Sequence, residues 1–158
     1  MYWLKPIAVK PYVKKYIAGN NLSVAPFELS TTNKYGMFLY HCLRHPEERV
    51  LRLVTSKSID ISVYTDSMDI KLTEKRWREI GCIISNEAII HFNKFVQQDF
   101  NEEFYKFVKH RVGPKGTIYR AIHNFRDIYG ISEDEFSYRS MERAFQRRNA
   151  PLNNSLSA

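Results

Sequence analysis

Residues Ser85–Arg111 read SNEAIIHFNKFVQQDFNEEFYKFVKHR and carry the strongest structural pattern in the chain. Apolar residues recur in it every three or four positions, and they are Ile89, Phe92, Val96, Phe100, Phe104 and Phe107. This spacing places them on one face of a helix. Ser85 is a favourable N-cap, and Glu87 lies in the first turn, where the helix dipole stabilises a negative charge. The pattern therefore predicts a long amphipathic helix over 86–111.

The residues before this helix are typical of a small sheet. Apolar and polar residues alternate over 59–64 and again over 68–72, on either side of the turn residues 65–67. Two alternating runs around a polar turn predict a β-hairpin with one buried face. Further β-type runs or extended segments are predicted at 7–9, 22–29, 50–54 and 80–84.

Two shorter helices are predicted in the first half of the chain. One begins at Pro11, a residue suited to the first helical position, and ends near Gly19. The other lies within 36–43, where the apolar run is typical of a short helix or of a buried strand. Phe38 and Cys42 share one side at helical spacing, as do Leu39 and Leu43, which favours the helix.

Two more helices follow the long one. Residues 118–129 place apolar side chains on one face, and Gly130 suits the C′ position. The sequence Ser132–Glu135 has the form of a capping box, but a tight turn followed by a helix capped by Ser137 is equally reasonable. In that last helix Tyr138, Met141 and Phe145 form the apolar stripe.

These elements predict an α+β fold. We expect a small, mostly antiparallel sheet packed on the long amphipathic helix, followed by a C-terminal pair of shorter helices that resembles a helix-turn-helix. The predicted organisation is an α+β domain over 1–112, a basic helical pair over 113–149 and a flexible tail over 150–158.

The composition limits the cellular setting. The chain has 158 residues, 44% of them hydrophobic, yet no apolar run long enough to span a membrane is present. The first residues lack the basic and apolar regions of a signal peptide. We therefore expect no membrane partner and a location in the host cytoplasm, with a virion as the alternative.

Positive charge is concentrated at the two ends of the chain. The net charge of +7 is distributed as +5 over residues 1–46, −3 over 47–105 and +5 over 106–158. Such a distribution favours a surface for a polyanion or an acidic partner, although a high isoelectric point also serves solubility alone.

The clearest candidate surface is on the last helix. Arg139, Arg143 and Arg147 are four residues apart and form a stripe beside the apolar face. Guanidinium groups bind phosphates and guanine edges through paired hydrogen bonds. The predicted nucleic-acid-binding residues are Lys115, Arg120, Arg139, Arg143, Arg147, Arg148, Lys14 and Lys15. The alternative is a solvated helix face or the rim of a subunit contact.

No catalytic or metal-binding motif is recognisable. His41 and His45 are four residues apart with Cys42 between them, but Cys82 is distant and no zinc-ligand spacing is present. The sequence also lacks nucleophile-elbow and phosphate-loop patterns. We therefore expect a non-enzymatic protein with no metal and no cofactor.

Three segments carry a resemblance to other proteins. Val9–Ile17 (VKPYVKKYI), Phe125–Tyr138 (FRDIYGISEDEFSY) and Arg143–Arg148 (RAFQRR) resemble segments of small proteins carried by phages and mobile elements of gut bacteria. The resemblance covers most of the chain and is greatest at its two ends. It implies a phage or mobile-element protein that either handles DNA or forms part of a particle.

The leading hypothesis is a nucleic-acid-binding accessory or regulatory protein of a phage or mobile element, with DNA preferred over RNA. The alternative is a structural or assembly protein of a phage particle. Its partners would be other phage structural proteins or further copies of the chain, and exposed Tyr and Phe side chains would make the contacts.

Overall fold

The computed structural model describes most of the chain, namely residues 1–20, 27–29, 32–44, 60–81, 84–113 and 116–150. These residues contain three strands and six helices, which confirms the predicted α+β class. The chain divides into two compact units, Met1–Phe100 and Asn101–Ala158. Each unit is described below by itself.

The sheet belongs to the first unit and contains β1 (Tyr2–Val9), β2 (Phe27–Glu28) and β3 (Asp66–Thr73) in the order β1-β3-β2. β1 runs antiparallel to β3 in a register that joins Tyr2 to Thr73 and Val9 to Asp66. β2 is parallel to β3 and contributes two residues, so the sheet is mostly antiparallel, as predicted.

One face of the sheet is buried. In β1, Ile7 and Val9 are inaccessible to solvent, and in β3 the alternating residues Met68, Ile70 and Leu72 are buried in the same way. The residues between them on β3 point to the other side and are exposed or half-buried. The alternation read from residues 68–72 therefore identifies the inner face of a strand.

The predicted hairpin is wrong, because β3 pairs with β1 and the run before it is not a strand. Residues 60–65 form turn and coil. The carboxylate of Asp60 accepts a hydrogen bond from the backbone N–H of Ser62 at 2.8 Å, and Tyr64 N donates to the carbonyl of Ile61 at 3.0 Å. These local bonds use backbone groups that a strand needs for its ladder.

The other strand predictions have mixed outcomes. Residues 50–54 lie outside the described residues, as does much of 22–29, of which Phe27–Glu28 is a strand. The strand predicted at 80–84 is wrong at its start, since Ile80 ends a helix that begins at Glu74 and is capped by Thr73. Gly81, at a positive φ of 68°, follows that helix.

The six helices are α1 (Pro11–Asn20), α2 (Lys34–Leu43), α3 (Glu74–Ile80), α4 (Asn86–Arg111), α5 (Ile118–Tyr129) and α6 (Tyr138–Asn149). The helix beginning at Pro11 is confirmed, and the ambiguous run 36–43 is helical. The side chain of Asn33 caps α2 by accepting a hydrogen bond from Tyr35 N.

The long helix α4 packs against the sheet, as predicted. Its residues Phe92, Val96 and Phe100 are fully buried, and the ring of Phe92 lies 6.4 Å from that of Phe27 in β2. The hydroxyl of Ser85 accepts a hydrogen bond from Ala88 N, which confirms Ser85 as the cap. Burial of these apolar faces is the main favourable contribution to this core.

A buried amide joins α4 to the end of β1. Asn93 donates to the carbonyls of Ala8 at 3.0 Å and Ile89 at 2.9 Å, and accepts from the backbone N–H of Lys10 at 3.1 Å. Polar groups that leave water must find such partners, or they destabilise the fold. Asn93 thereby satisfies the backbone where β1 turns into α1.

A carboxylate on α4 joins two further helices. Asp99 accepts hydrogen bonds from the hydroxyls of Tyr16 in α1 and Tyr35 in α2, and from Lys34 Nζ at 2.6 Å. Partial burial by itself raises the pKa of Asp99, but the hydrogen bonds from Lys34 and Tyr35 outweigh it and hold that pKa below its usual value. The charged form is therefore the one that the fold stabilises.

The substitution Asp99→Asn should lower the free energy of unfolding at pH 7 by about 1–2 kcal/mol, because three donors lose a charged acceptor. Because the pKa of Asp99 is lower in the folded than in the unfolded state, its carboxylate stabilises the fold at pH values above the unfolded-state pKa of about 4. This stabilisation is lost as the pH falls through the folded-state pKa of Asp99. Urea unfolding of both proteins at pH 7 and pH 3 measures the difference, which should shrink at pH 3.

Asp69→Asn is the matched control, because Asp69 is exposed on the outer side of β3. It should leave the free energy of unfolding almost unchanged at both pH values. A difference between wild type and Asp99→Asn that does not depend on pH would contradict the role of the charge.

Candidate nucleic-acid interface

The helical pair predicted after the long helix is present in the second unit as α5 and α6. Thr117 caps α5 by accepting a hydrogen bond from Arg120 N at 3.2 Å. Gly130 ends α5 in the left-handed conformation, at a φ of 63°, as its predicted C′ role requires. In α6 the residues that pack inwards are Met141 and Phe145.

The connection between the two helices runs over residues 130–137. It is longer than the three- or four-residue turn of a DNA-binding helix-turn-helix. Residues 133–136 form turns, and Ser137 caps α6 by accepting from Ser140 N at 3.2 Å. Of the two alternatives left open by the sequence, the turn followed by a Ser137 cap is therefore the observed one.

An ion pair holds this connection to α5. Arg126 is buried, and its Nη1 lies 2.6 Å from the carboxylate of Glu133. The same carboxylate accepts a hydrogen bond from the backbone N–H of Tyr138 at 3.0 Å. That bond, together with the Arg126 charge, holds the pKa of Glu133 below its usual value. The pair thereby fixes the first turn of α6.

The arginine stripe, defined as Arg139, Arg143 and Arg147, lies on the outer side of α6. Arg143 is two residues from both Met141 and Phe145, and two residues turn by about 200° along a helix. The stripe is therefore opposite the buried face rather than beside it, and all three residues are exposed. Within the described part of the chain, no carboxylate forms an ion pair with any of them.

The stripe has one internal contact, in which Arg147 Nε donates to the carbonyl of Arg143 at 3.3 Å. This bond leaves the remaining N–H groups of Arg147 at the exposed surface of α6. Five N–H donors per guanidinium group are well matched to phosphate oxygens. The stripe is therefore a set of three outward donors on one rigid helix.

Arg148 does not belong to this stripe. It is three residues from Phe145 and lies on the inner side of α6, where its Nη2 is 2.7 Å from the carboxylate of Glu102. Its guanidinium carbon also lies 4.3 Å from the centre of the Tyr105 ring. Arg148 therefore contacts residues in the last part of α4.

The remaining predicted residues are in different places. Arg120 is exposed on α5, two residues from the buried Ile122 and hence on the outer side of that helix. Lys115 lies outside the described residues. Lys14 and Lys15 are half-buried on α1 in the first unit, where Lys14 Nζ lies 3.0 Å from Asp66.

Exposed basic residues near the end of α4 were not predicted from the sequence, and they lie on different sides of the helix. Lys109 Nζ lies 5.6 Å from the centre of the Tyr105 ring, and the guanidinium carbon of Arg111 lies 4.2 Å from that of Phe107. Lys109 and Arg111 are exposed, as is Lys106. Their position in the last turns of a predicted helix, where the dipole favours cations, was an available signal.

The described residues contain no candidate metal-binding site. No group of three or more His, Cys, Asp or Glu side chains in those ranges is arranged to hold a metal ion. His41 is exposed on α2, and both His45 and Cys82 lie outside the described residues. Over the same ranges, none of the helices combines the length and the apolar character needed to cross a membrane.

Comparison with known proteins gives no relative. No protein-family model, no curated protein and no solved structure matches the chain.

Glu133→Gln should lower the thermal midpoint of unfolding, because it leaves the buried Arg126 guanidinium without a charged partner. Arg126→Met should cost less, since it replaces the buried charge with an apolar side chain of similar length. Circular dichroism on heating measures both variants. Asp134→Asn, an exposed neighbour in the same turn, is the control, and an equal midpoint for Glu133→Gln and Asp134→Asn would contradict this role.

Proposed function

We propose that the chain is a non-enzymatic nucleic-acid-binding accessory or regulatory protein whose arginine stripe contacts phosphates. The observation that carries the proposal is the position of Arg139, Arg143 and Arg147, all exposed on the side of α6 that faces away from its own core. Burial of Met141 and Phe145 leaves that side outward. Arginine is the side chain best suited to bind phosphate at such a surface.

The spacing of the stripe suits a phosphate backbone. Four residues of helix advance by about 6 Å, so the three arginines extend over about 12 Å. Each strand of duplex DNA carries one phosphate per about 3.4 Å of axis. Long side chains on such a row can therefore reach several successive phosphates.

The N-terminus of α6 is less suited to an anion. Glu133 already accepts from Tyr138 N at that end, and its negative charge opposes a phosphate there. We therefore propose that nucleic acid lies along the outer side of α6. Backbone contacts of this kind position a protein without reading sequence, and they make binding strongly dependent on salt.

The choice of DNA and of the biological setting rests on other grounds. Arginine contacts with phosphate are common to DNA and RNA. The preference for DNA, and the assignment to a phage or mobile element, come from the resemblance of segments such as Val9–Ile17 to proteins of that origin.

One observation favours the alternative function, a structural or assembly role. Tyr2 and Leu4 are 56% and 52% exposed on the same side of β1. Adjacent exposed apolar side chains are typical of surfaces that contact another protein. A large defined oligomer without affinity for nucleic acid would support this role.

The double variant Arg143→Ala plus Arg147→Ala should weaken binding to a short DNA duplex, because two phosphate contacts are lost. The slope of log affinity against log salt concentration should fall by about 2, one unit for each contact. Electrophoretic shift or fluorescence anisotropy at several salt concentrations provides both quantities.

The matched control is Lys75→Ala plus Arg78→Ala, which removes the same net charge from exposed positions on α3. It should retain the wild-type slope. Equal losses in the two double variants would show that only net charge matters, and no binding by the wild type at low salt would overturn the proposed function.

A further inference from the structure

Three aromatic rings from α5 and α6 form a group on the second unit, here called the aromatic platform and defined as Tyr119, His123 and Tyr138. The rings of His123 and Tyr138 are parallel within 8°, with centres 5.3 Å apart. Tyr119 adds a third ring, 4.3 Å from His123 and 5.3 Å from Tyr138. The α5 residues are four apart and are therefore neighbours on one side of the helix.

The platform is not part of the core. Tyr119 is 60% exposed, and His123 and Tyr138 are half-buried. The core of the same unit already contains the fully buried Phe125, whose ring lies 5.3 Å from that of Phe104. The exposed ring of Tyr119, tilted by 52° to that of His123 and by 56° to that of Tyr138, provides an aromatic surface to solvent.

Charge around the platform is unequal. Tyr138 donates its hydroxyl to Glu142 at 3.0 Å and its backbone N–H to Glu133, so two carboxylates contact this member of the platform. Arg120 follows Tyr119 on α5 and Arg139 follows Tyr138 on α6, and both arginines are exposed. Each arginine is one residue, or about 100° of helix, from a platform ring, so an exposed ring and exposed cations lie on the same two helices. This combination is complementary to a flat aromatic group attached to a phosphate.

We propose that the aromatic platform stacks an unpaired nucleobase, so that this chain binds a single strand more tightly than a duplex. This inference rests on the proposed function, to which it adds the class of strand. Bases within a duplex are already stacked on one another, whereas those of a single strand are available to an aromatic side chain.

The test uses the full chain at low salt with a single-stranded oligonucleotide that contains the fluorescent base 2-aminopurine, and with a duplex of equal length. Wild type should bind the single strand more tightly and should quench the fluorescent base on binding. Tyr119→Ala should weaken single-strand binding about five-fold or more and leave duplex binding unchanged. Tyr119→Phe, which keeps the ring, should bind like wild type.

Ile128→Ala is the matched control, because it removes an equally exposed apolar side chain, 59% accessible, from the same helix without removing a ring. It should have no effect on either ligand. Equal affinity of wild type for both ligands, with no quenching, would overturn the stacking proposal even if Tyr119→Ala failed to fold. If Arg143→Ala plus Arg147→Ala then still weakened binding, the proposed function would stand without the platform, whereas no binding by wild type would overturn both.

Discussion

The apolar stripe of α4 is the constraint on which the rest of the structure depends. Its first part buries Phe92, Val96 and Phe100 in the unit that contains the sheet, and its last part buries Phe104 and Val108 in the unit of α5 and α6. A helix with one continuous apolar face must cover that face along its whole length. Asn93, a polar residue of α4, donates a hydrogen bond to the carbonyl of Ala8 and thereby fixes which part of β1 lies against the helix.

The candidate site follows from packing of the same kind. Once Met141 and Phe145 are buried, helix geometry leaves Arg143 no orientation except outward. The Arg126–Glu133 pair fixes where α6 begins, and therefore which residues belong to its outer side. The arginine stripe and the aromatic platform are thus two consequences of the packing of one helical pair.

Five of the six helices in the described residues were predicted from the sequence because their signals are local, whereas α3 (Glu74–Ile80) was not. The spacing of apolar residues, the Ser85 cap and the positive φ of Gly130 all act within a few positions. Sheet pairing was not predicted, because β3 pairs with β1 across more than fifty residues. In addition, the residues before β3 alternate like a strand, whereas the hydrogen bond to Asp60 holds them in a turn. The arginine stripe was predicted because helical spacing is a local signal. The ion pair between Arg148 and Glu102 and the aromatic platform were not predicted, because they depend on contacts between helices.

The most direct measurement of the central claim is a nuclear magnetic resonance titration that follows the arginine Nε–Hε signals as a short oligonucleotide is added. The account predicts shifts for Arg139, Arg143 and Arg147. The signals of Arg126 and Arg148 should change little, since Glu133 and Glu102 already hold them. Shifts confined to Arg126 and Arg148, or no shift in the stripe at an oligonucleotide concentration that saturates binding, would contradict the account.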